Sequence, residues 1–169
     1  LLAQESYEMS AELPAWRAYC ARMKKKYPII TDEMRAETDF VDAHVFIDEL
    51  SHQLTADDVI VPESSGGAGE ITYQALRVKY GQKVKNAAGL GSMGFGVPYA
   101  LGACLANGKR RTVLIDGDGA FQLNIQELAT IAQHKLPIKI FLWMNGGYAS
   151  IMGTQRNFFE GNYVAADRE

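Results

Sequence analysis

Apolar and polar positions along the chain follow two patterns, one typical of amphipathic helices and one typical of buried strands. Helical spacing of apolar residues predicts helices over residues 13–28, 40–54, 71–80, 97–106 and 125–134. Short continuous apolar runs predict strands over residues 58–62, 111–116 and 137–145. Strands that alternate with helices are typical of an α/β fold with right-handed crossovers. The pattern therefore predicts a doubly wound, mostly parallel sheet with helices on both faces.

Particular residues indicate where the predicted elements begin and end. Pro14 lies in the first turn of the first helix, and Pro28 ends that helix. Asn124 and Glu127 have the spacing of a capping box for the last helix. The polar residues 29–39 are predicted to form a linker.

Three loops rich in glycine or acidic residues follow the predicted strands. They cover residues 63–70, 116–120 and 145–148. Ligands of parallel sheets bind beyond the carboxyl ends of the strands. We therefore expect the three loops to converge on one ligand site.

Composition and charge exclude several other classes of protein. The chain has 169 residues, of which 47% are hydrophobic and 22% are charged, and its net charge is -3. These values are ordinary for one globular domain and indicate no nucleic-acid or membrane partner. Two cysteines without paired spacing fit a reducing cytoplasm. The chain does not begin with Met, so we expect a piece of a longer protein.

Asp118 and Asn145 are candidate ligands of a metal ion. Each follows a predicted strand, and Asn145 comes 27 positions after Asp118, so that one helical crossover separates them. A carboxylate and an amide oxygen suit Mg²⁺, which often takes further ligands from a substrate's phosphates. The main-chain carbonyl of Gly147 could add a ligand, and the N–H groups of Gly119 and Ala120 could bind phosphate. The neighbouring Asp116 is expected to cap or brace the loop.

The motif "GDG" followed by a strand-terminal asparagine resembles the cofactor motif of thiamine diphosphate enzymes. The stretches "GLGSMGFGVPYALGA" and "GDGAFQLNIQELATI" are similar to the C-terminal, diphosphate-binding domain of acetolactate synthase and its close relatives. The resemblance implies a parallel sheet of six strands and the metal ligands Asp118, Asn145 and Gly147. It departs from the family at Met144, where the motif normally has a first asparagine.

The resemblance also implies roles for residues outside the metal motif. Ala68 and Gly69 would lie near the phosphates, and Ile71, with Glu70 as a rival, would wedge beneath the bent cofactor. The main chain at Met93 would contact the aminopyrimidine ring. The full set of cofactor-binding residues is Ala68, Gly69, Ile71, Gly91, Met93, Gly117, Asp118, Gly119, Ala120, Asn145, Gly147 and Tyr148.

The function that the resemblance implies is that of a thiamine diphosphate- and Mg²⁺-dependent transferase or lyase. The substrate would be a 2-oxo acid such as pyruvate, which is decarboxylated and joined to a second carbonyl. The activating glutamate would come from an N-terminal pyrimidine-binding domain, usually of a neighbouring subunit in a homodimer or homotetramer. The chain alone would therefore be inactive, and we assign it no catalytic residue.

The resemblance divides the chain into two parts. Residues 1–38 would be a linker and a helix that lead in from a preceding domain. Residues 39–169 would be the thiamine diphosphate domain, truncated at its C-terminus.

Three other interpretations stay open at this point. The domain could belong to a simple 2-oxo acid decarboxylase, or it could have lost catalysis and serve in oligomerisation. The stretch "GLGSMG", residues 89–94, also matches a dinucleotide-binding fingerprint, although no apolar strand leads directly into it. Arg156, Phe158 and Phe159 could line a substrate mouth or simply pack.

Overall fold

The computed structural model describes residues 10–87 and 89–166 as eight helices and four strands. The helices are α1 (Leu13–Lys26), α2 (Asp32–Ala36), α3 (Ala43–Gln53), α4 (Gly66–Ala75), α5 (Gly96–Ala106), α6 (Asp118–Gln122), α7 (Glu127–Gln133) and α8 (Ala149–Phe158). The strands are β1 (Val59–Pro62), β2 (Lys83–Val84), β3 (Thr112–Gly117) and β4 (Ile138–Trp143).

The strands form one parallel sheet in the order β2-β1-β3-β4. The central strands β1 and β3 are almost entirely buried, which explains why their sequences are continuous apolar runs rather than alternating ones. The predicted α/β fold with a parallel sheet is therefore confirmed. The described part of the chain contains four of the six strands that the resemblance implies.

Helices cover both faces of this sheet and build two separate apolar clusters. On one face, Ile47 and Leu50 of α3 pack with Ile60 and Ile115 of the sheet. On the other face, α5 packs against Val59, Val61 and Leu114, and α7 lies beside it. Because side chains alternate across a strand, successive residues of β1 belong to opposite clusters.

Several short elements were not predicted. The helix α2 lies within the expected linker, where the Thr31 hydroxyl accepts a hydrogen bond from the backbone N–H of Met34 and caps the helix. The two-residue strand β2 lies between the helices predicted over residues 71–80 and 97–106, where no strand was predicted. The helices α6 and α8 were also missed.

One predicted helix has different bounds in the structure, and one predicted cap does not form. The helix expected over residues 71–80 begins at Gly66, inside the predicted loop 63–70, and ends at Ala75. The predicted capping box does not form. The amide nitrogen of Asn124 donates a 2.7 Å hydrogen bond to the carbonyl of Gly94, and its Oδ1 accepts one from the side chain of Gln126. Gln126 is the N-cap of α7.

Candidate functional site

A pocket opens at the carboxyl edge of the sheet, where the loops after β1, β3 and β4 meet. This is the convergence that the sequence predicts. Nine of the twelve predicted cofactor-binding residues line the pocket. They are Ala68, Met93, Gly117, Asp118, Gly119, Ala120, Asn145, Gly147 and Tyr148.

The other three predicted residues lie away from the pocket lining. Gly69 is packed so closely on the backbone carbonyl of Glu63 that a side chain would overlap it. Ile71 packs against the apolar cluster of α3. Gly91 is exposed in the loop before α5. Packing and loop geometry explain these residues, and their contact with a cofactor stays a prediction.

The pocket also contains residues that the sequence analysis did not select. They are residues 65–67 at the start of α4, Trp143 at the end of β4, and residues 149–151 at the start of α8. Residues 65–67 lie in a predicted loop, so their position could have been inferred. The sequence of α8 gave no such signal, because Ile151 and Met152 are followed by a glycine and four polar residues.

The three predicted metal ligands lie together. One terminal atom of the Asn145 amide is 2.7 Å from the carbonyl oxygen of Gly147 and 3.2 Å from Oδ1 of Asp118. Without a cation, that position suits the amide nitrogen, which donates to both oxygens. With the amide oxygen at that position, three oxygens face one another, an arrangement that a bound cation would stabilise.

These separations fit a magnesium ion. Octahedral Mg²⁺ binds oxygen at about 2.0–2.1 Å, so neighbouring ligand oxygens are about 3 Å apart. Among the described residues no cluster of three or more His, Cys, Asp or Glu side chains could hold a metal. A cation here would therefore depend on one carboxylate, one amide and one carbonyl, and would have sites left for phosphate oxygens.

Local structure fixes the position of Asp118. It begins α6 directly after β3, its side chain is mostly buried, and its Oδ1 accepts a 2.9 Å hydrogen bond from the N–H of Gly119. The ring of Tyr148 lies against Gly119, where a side chain at residue 119 would overlap it. Tyr148 is itself anchored, since its N–H donates to the carbonyl of Ala166 at 2.9 Å.

The turn after β4 requires glycine. Gly146 and Gly147 have φ angles of 88° and 150°, which residues with side chains rarely adopt. This turn brings the carbonyl of Gly147 back to the side chain of Asn145.

Two helix N-termini face the pocket. The helices α4 and α8 both begin in its lining, and neither has a capping side-chain hydrogen bond from the residue at its N-cap. The N–H groups of a first turn and the helix dipole both favour an anion. The site therefore combines a place for a cation with a place for the anion that the cation would hold.

A second acidic feature lies behind the pocket. Glu63, directly after β1, and Asp116 of β3 are completely buried. Burial, followed by the nearby charge of Glu63, raises the pKa of Asp116 to about 7. Burial also raises the pKa of Glu63. The two carboxyl groups therefore do not both carry a full charge near neutral pH.

Sequence reasoning assigned Asp116 to bracing the loop and overlooked Glu63. Oδ1 of Asp116 accepts a 2.8 Å hydrogen bond from the N–H of Gly117, which agrees with the bracing role. Glu63 could have been identified as a candidate site residue, because it is an acidic residue directly after a wholly apolar strand.

The dinucleotide interpretation has little structural support. Residues 89–94 form part of the loop before α5, and the preceding strand, β2, has two residues and ends at Val84. The fingerprint requires a strand that leads directly into the glycines. The described residues contain no helix long and apolar enough to cross a membrane.

The comparisons with known proteins agree with this geometry. A family model described as "Thiamine pyrophosphate enzyme, C-terminal TPP binding domain" matches residues 65–169. Acetolactate synthase 3, chloroplastic, of Brassica napus is 31% identical over 96% of this chain and 24% of its own length. The acetolactate synthase large subunit of Cyanidium caldarium is 34% identical over 89% of this chain and 25% of its own length.

The chain thus spans about a quarter of the curated relatives that it matches. The family match includes the pocket residues of α4, β3, β4 and α8. The chain belongs to the C-terminal TPP-binding domains of the thiamine pyrophosphate enzymes, and thiamine pyrophosphate (thiamine diphosphate) is its cofactor.

Proposed function

We propose that Asp118, Asn145 and the carbonyl of Gly147 bind Mg²⁺, which holds the diphosphate of thiamine diphosphate in the pocket. One observation carries this proposal: a single amide atom of Asn145 lies within 3.2 Å of both other ligand oxygens. The separations match neighbouring positions of an octahedron. The carboxylate supplies one negative charge, and the phosphates supply the rest.

The chain's own residues bind and orient the cofactor. The first N–H groups of α4 and the N–H of Ala120 would bind the phosphate oxygens. The N–H of Gly119 instead donates to Asp118, and that of Ala149 donates to the carbonyl of Gly147. The ring of Tyr148 covers Gly119 and keeps water from that side of the site. When bound, thiamine diphosphate supplies the carbanion chemistry through its thiazolium ring. We assign no catalytic residue to this chain.

The whole protein would be an acetolactate synthase-like enzyme, in line with the names of the relatives. It would act on a 2-oxo acid such as pyruvate and join the decarboxylated product to a second carbonyl. Its active site would be completed by the N-terminal pyrimidine-binding domain of a neighbouring subunit in a homodimer or homotetramer. The isolated chain would then bind cofactor without turnover. A cytoplasmic location is part of the same proposal.

We also keep residues 1–38 as the lead-in segment and residues 39–169 as the cofactor domain. All residues of α1 are at least partly exposed, which supports a segment that belongs beside another part of the protein. Arg35 of α2 donates hydrogen bonds to Asp48 and Glu49 of α3 at 2.5 and 2.8 Å, so the end of the lead-in segment is attached to the domain.

Calorimetric titration of the chain tests the cofactor proposal. We expect thiamine diphosphate to bind with Mg²⁺ and to lose most of its affinity in EDTA. Binding that is unaffected by EDTA would refute the metal role, and tighter binding of NADH would favour a dinucleotide site.

Product analysis of the full-length protein with pyruvate tests the reaction. Acetolactate is the expected product, and acetaldehyde alone would indicate a simple decarboxylase. The variant Asp118→Ala should abolish turnover; unchanged turnover would support a non-catalytic domain.

A further inference from the structure

We propose that Glu63 is a positioning residue, whose buried carboxyl group holds the start of α5 and thereby keeps Met93 on the cofactor pocket. This inference rests on the proposed function, because it assigns Met93 to the part of the pocket beyond the diphosphate.

The backbone of Glu63 is fixed by the sheet. Its N–H donates a 2.8 Å hydrogen bond to the carbonyl of Ile115 in β3, which continues the pairing of β1 with β3. Its side chain is completely buried. A buried carboxyl group must interact with polar partners, since burial without them is strongly unfavourable.

The partners that face Glu63 are backbone N–H groups at the start of α5. Burial raises the pKa of Glu63, and the N–H groups of Gly96, Ser64 and Phe95 act against that rise. The hydroxyl of Ser64 also donates a 3.4 Å hydrogen bond to Oε1 of Glu63. Phe95 is the N-cap of α5 and makes no capping hydrogen bond with its own side chain. The carboxyl group of Glu63 therefore lies beside the start of α5, where a local cap would normally place an acceptor.

Gly96 makes this contact possible. A Cβ atom at residue 96 would lie 2.5 Å from Oε2 of Glu63 and 2.7 Å from Oδ2 of Asp116. Both oxygens lack a conventional hydrogen-bond partner within the described residues. They meet at Gly96, the first residue of α5, where a side chain would overlap both carboxyl groups.

The loop that Glu63 holds, residues 92–95, is attached at two more points. The Ser64 hydroxyl donates a 2.9 Å hydrogen bond to the carbonyl of Ser92, and Asn124 donates to Gly94. Met93 lies between these two attachments and lines the pocket. Its methyl carbon comes within 3.4 Å of the position that a Cβ of Gly119 would occupy. Displacement of the start of α5 would therefore move Met93 relative to Gly119.

The test compares two ligands on the same chain. Thiamine diphosphate uses the whole pocket, whereas inorganic diphosphate, with Mg²⁺, reports only on the phosphate part. Glu63→Ala should lower the affinity for thiamine diphosphate at least tenfold and the affinity for inorganic diphosphate less than twofold. Glu63→Gln, which keeps an acceptor oxygen, should stay within twofold of wild type for both. Asp57→Ala, at an exposed residue near the opposite edge of the sheet, is the matched control.

If Glu63 has a purely structural role, Glu63→Ala should lower the affinity for both ligands equally, and that result would overturn the proposal. If Glu63→Ala does not fold, Ser64→Ala replaces it and removes the hydroxyl contacts with Ser92 and Glu63. It should also weaken the binding of thiamine diphosphate more than that of inorganic diphosphate, by a smaller factor. Equal effects of Ser64→Ala on both ligands would also overturn it.

Amide hydrogen exchange measures the positioning without any cofactor. In Glu63→Ala, or in Ser64→Ala if that variant must replace it, exchange at residues 92–96 should be faster by at least tenfold relative to the rest of α5. Unchanged exchange there would refute the proposal. Failure of wild type to bind either ligand would instead refute the proposed function, and the exchange rates would still decide the role of Glu63.

Discussion

Replacement of Asp116 by asparagine should stabilise the metal-free protein at pH 8. The carboxyl group of Asp116 is completely buried beside Glu63, and its pKa in the folded chain is raised from 3.8 to about 7. An asparagine keeps the oxygen that accepts the N–H of Gly117 and carries no charge. Its amide nitrogen could also donate to Oε2 of Glu63, which has no hydrogen-bond partner among the described residues.

The sign and size follow from proton linkage. The folded state binds the proton more tightly than the unfolded state, so this contribution to stability is complete below pH 3.8 and is lost as the pH rises through about 7. At about 1.4 kcal/mol per pKa unit, the loss between pH 5 and pH 8 is about 3 kcal/mol. Asp116→Asn has no carboxyl group at this position, so its free energy of unfolding should not fall in this way.

Urea unfolding at pH 5 and pH 8 in EDTA measures the effect. The free energy of unfolding of Asp116→Asn, relative to wild type, should rise by about 3 kcal/mol between the two pH values. The exposed control Asp57→Asn should show little change. If the difference between Asp116→Asn and wild type is the same at both pH values, the buried acid pair does not titrate as described.

Two further predictions concern other contacts. Asp58→Ala should lower the free energy of unfolding in urea by about 2 kcal/mol. The buried Asp58 precedes β1 and accepts hydrogen bonds from the guanidinium of Arg111, which precedes β3. An unchanged unfolding midpoint would contradict this prediction. Gly119→Ala should weaken thiamine diphosphate at least tenfold through overlap with Tyr148, and Gly119→Ala/Tyr148→Ala should recover part of the affinity. No loss in the single variant would show that the ring moves freely.

The fold was predictable wherever a strong local pattern coincided with the final structure. The strands β1 and β3 are buried on both faces, and for that reason their sequences are continuous apolar runs that predict them directly. The two-residue strand β2 is half exposed and pairs only with β1, so no periodic pattern marks it. The capping box failed for a different reason, since tertiary contact with Gly94 takes the side chain of Asn124.

The site was predictable where its residues follow strands directly. Asp118 and Asn145 end neighbouring parallel strands, and topology alone brings such residues together. Glu63 could not be identified in this way, because its role arises only when α5 packs against β1 and β3. For Ile71 the resemblance implies a cofactor contact; the structure packs its side chain against the apolar cluster that includes α3, and the contact stays a prediction.

The central claim is that Asp118 and Asn145 jointly bind the cation that holds the cofactor. Titration of Asp118→Ala with thiamine diphosphate and Mg²⁺, beside wild type, tests it most directly. We expect a loss of affinity of at least a hundredfold in the variant and no further loss in EDTA, since the metal would no longer contribute. Wild-type affinity with an unchanged response to EDTA would contradict the account.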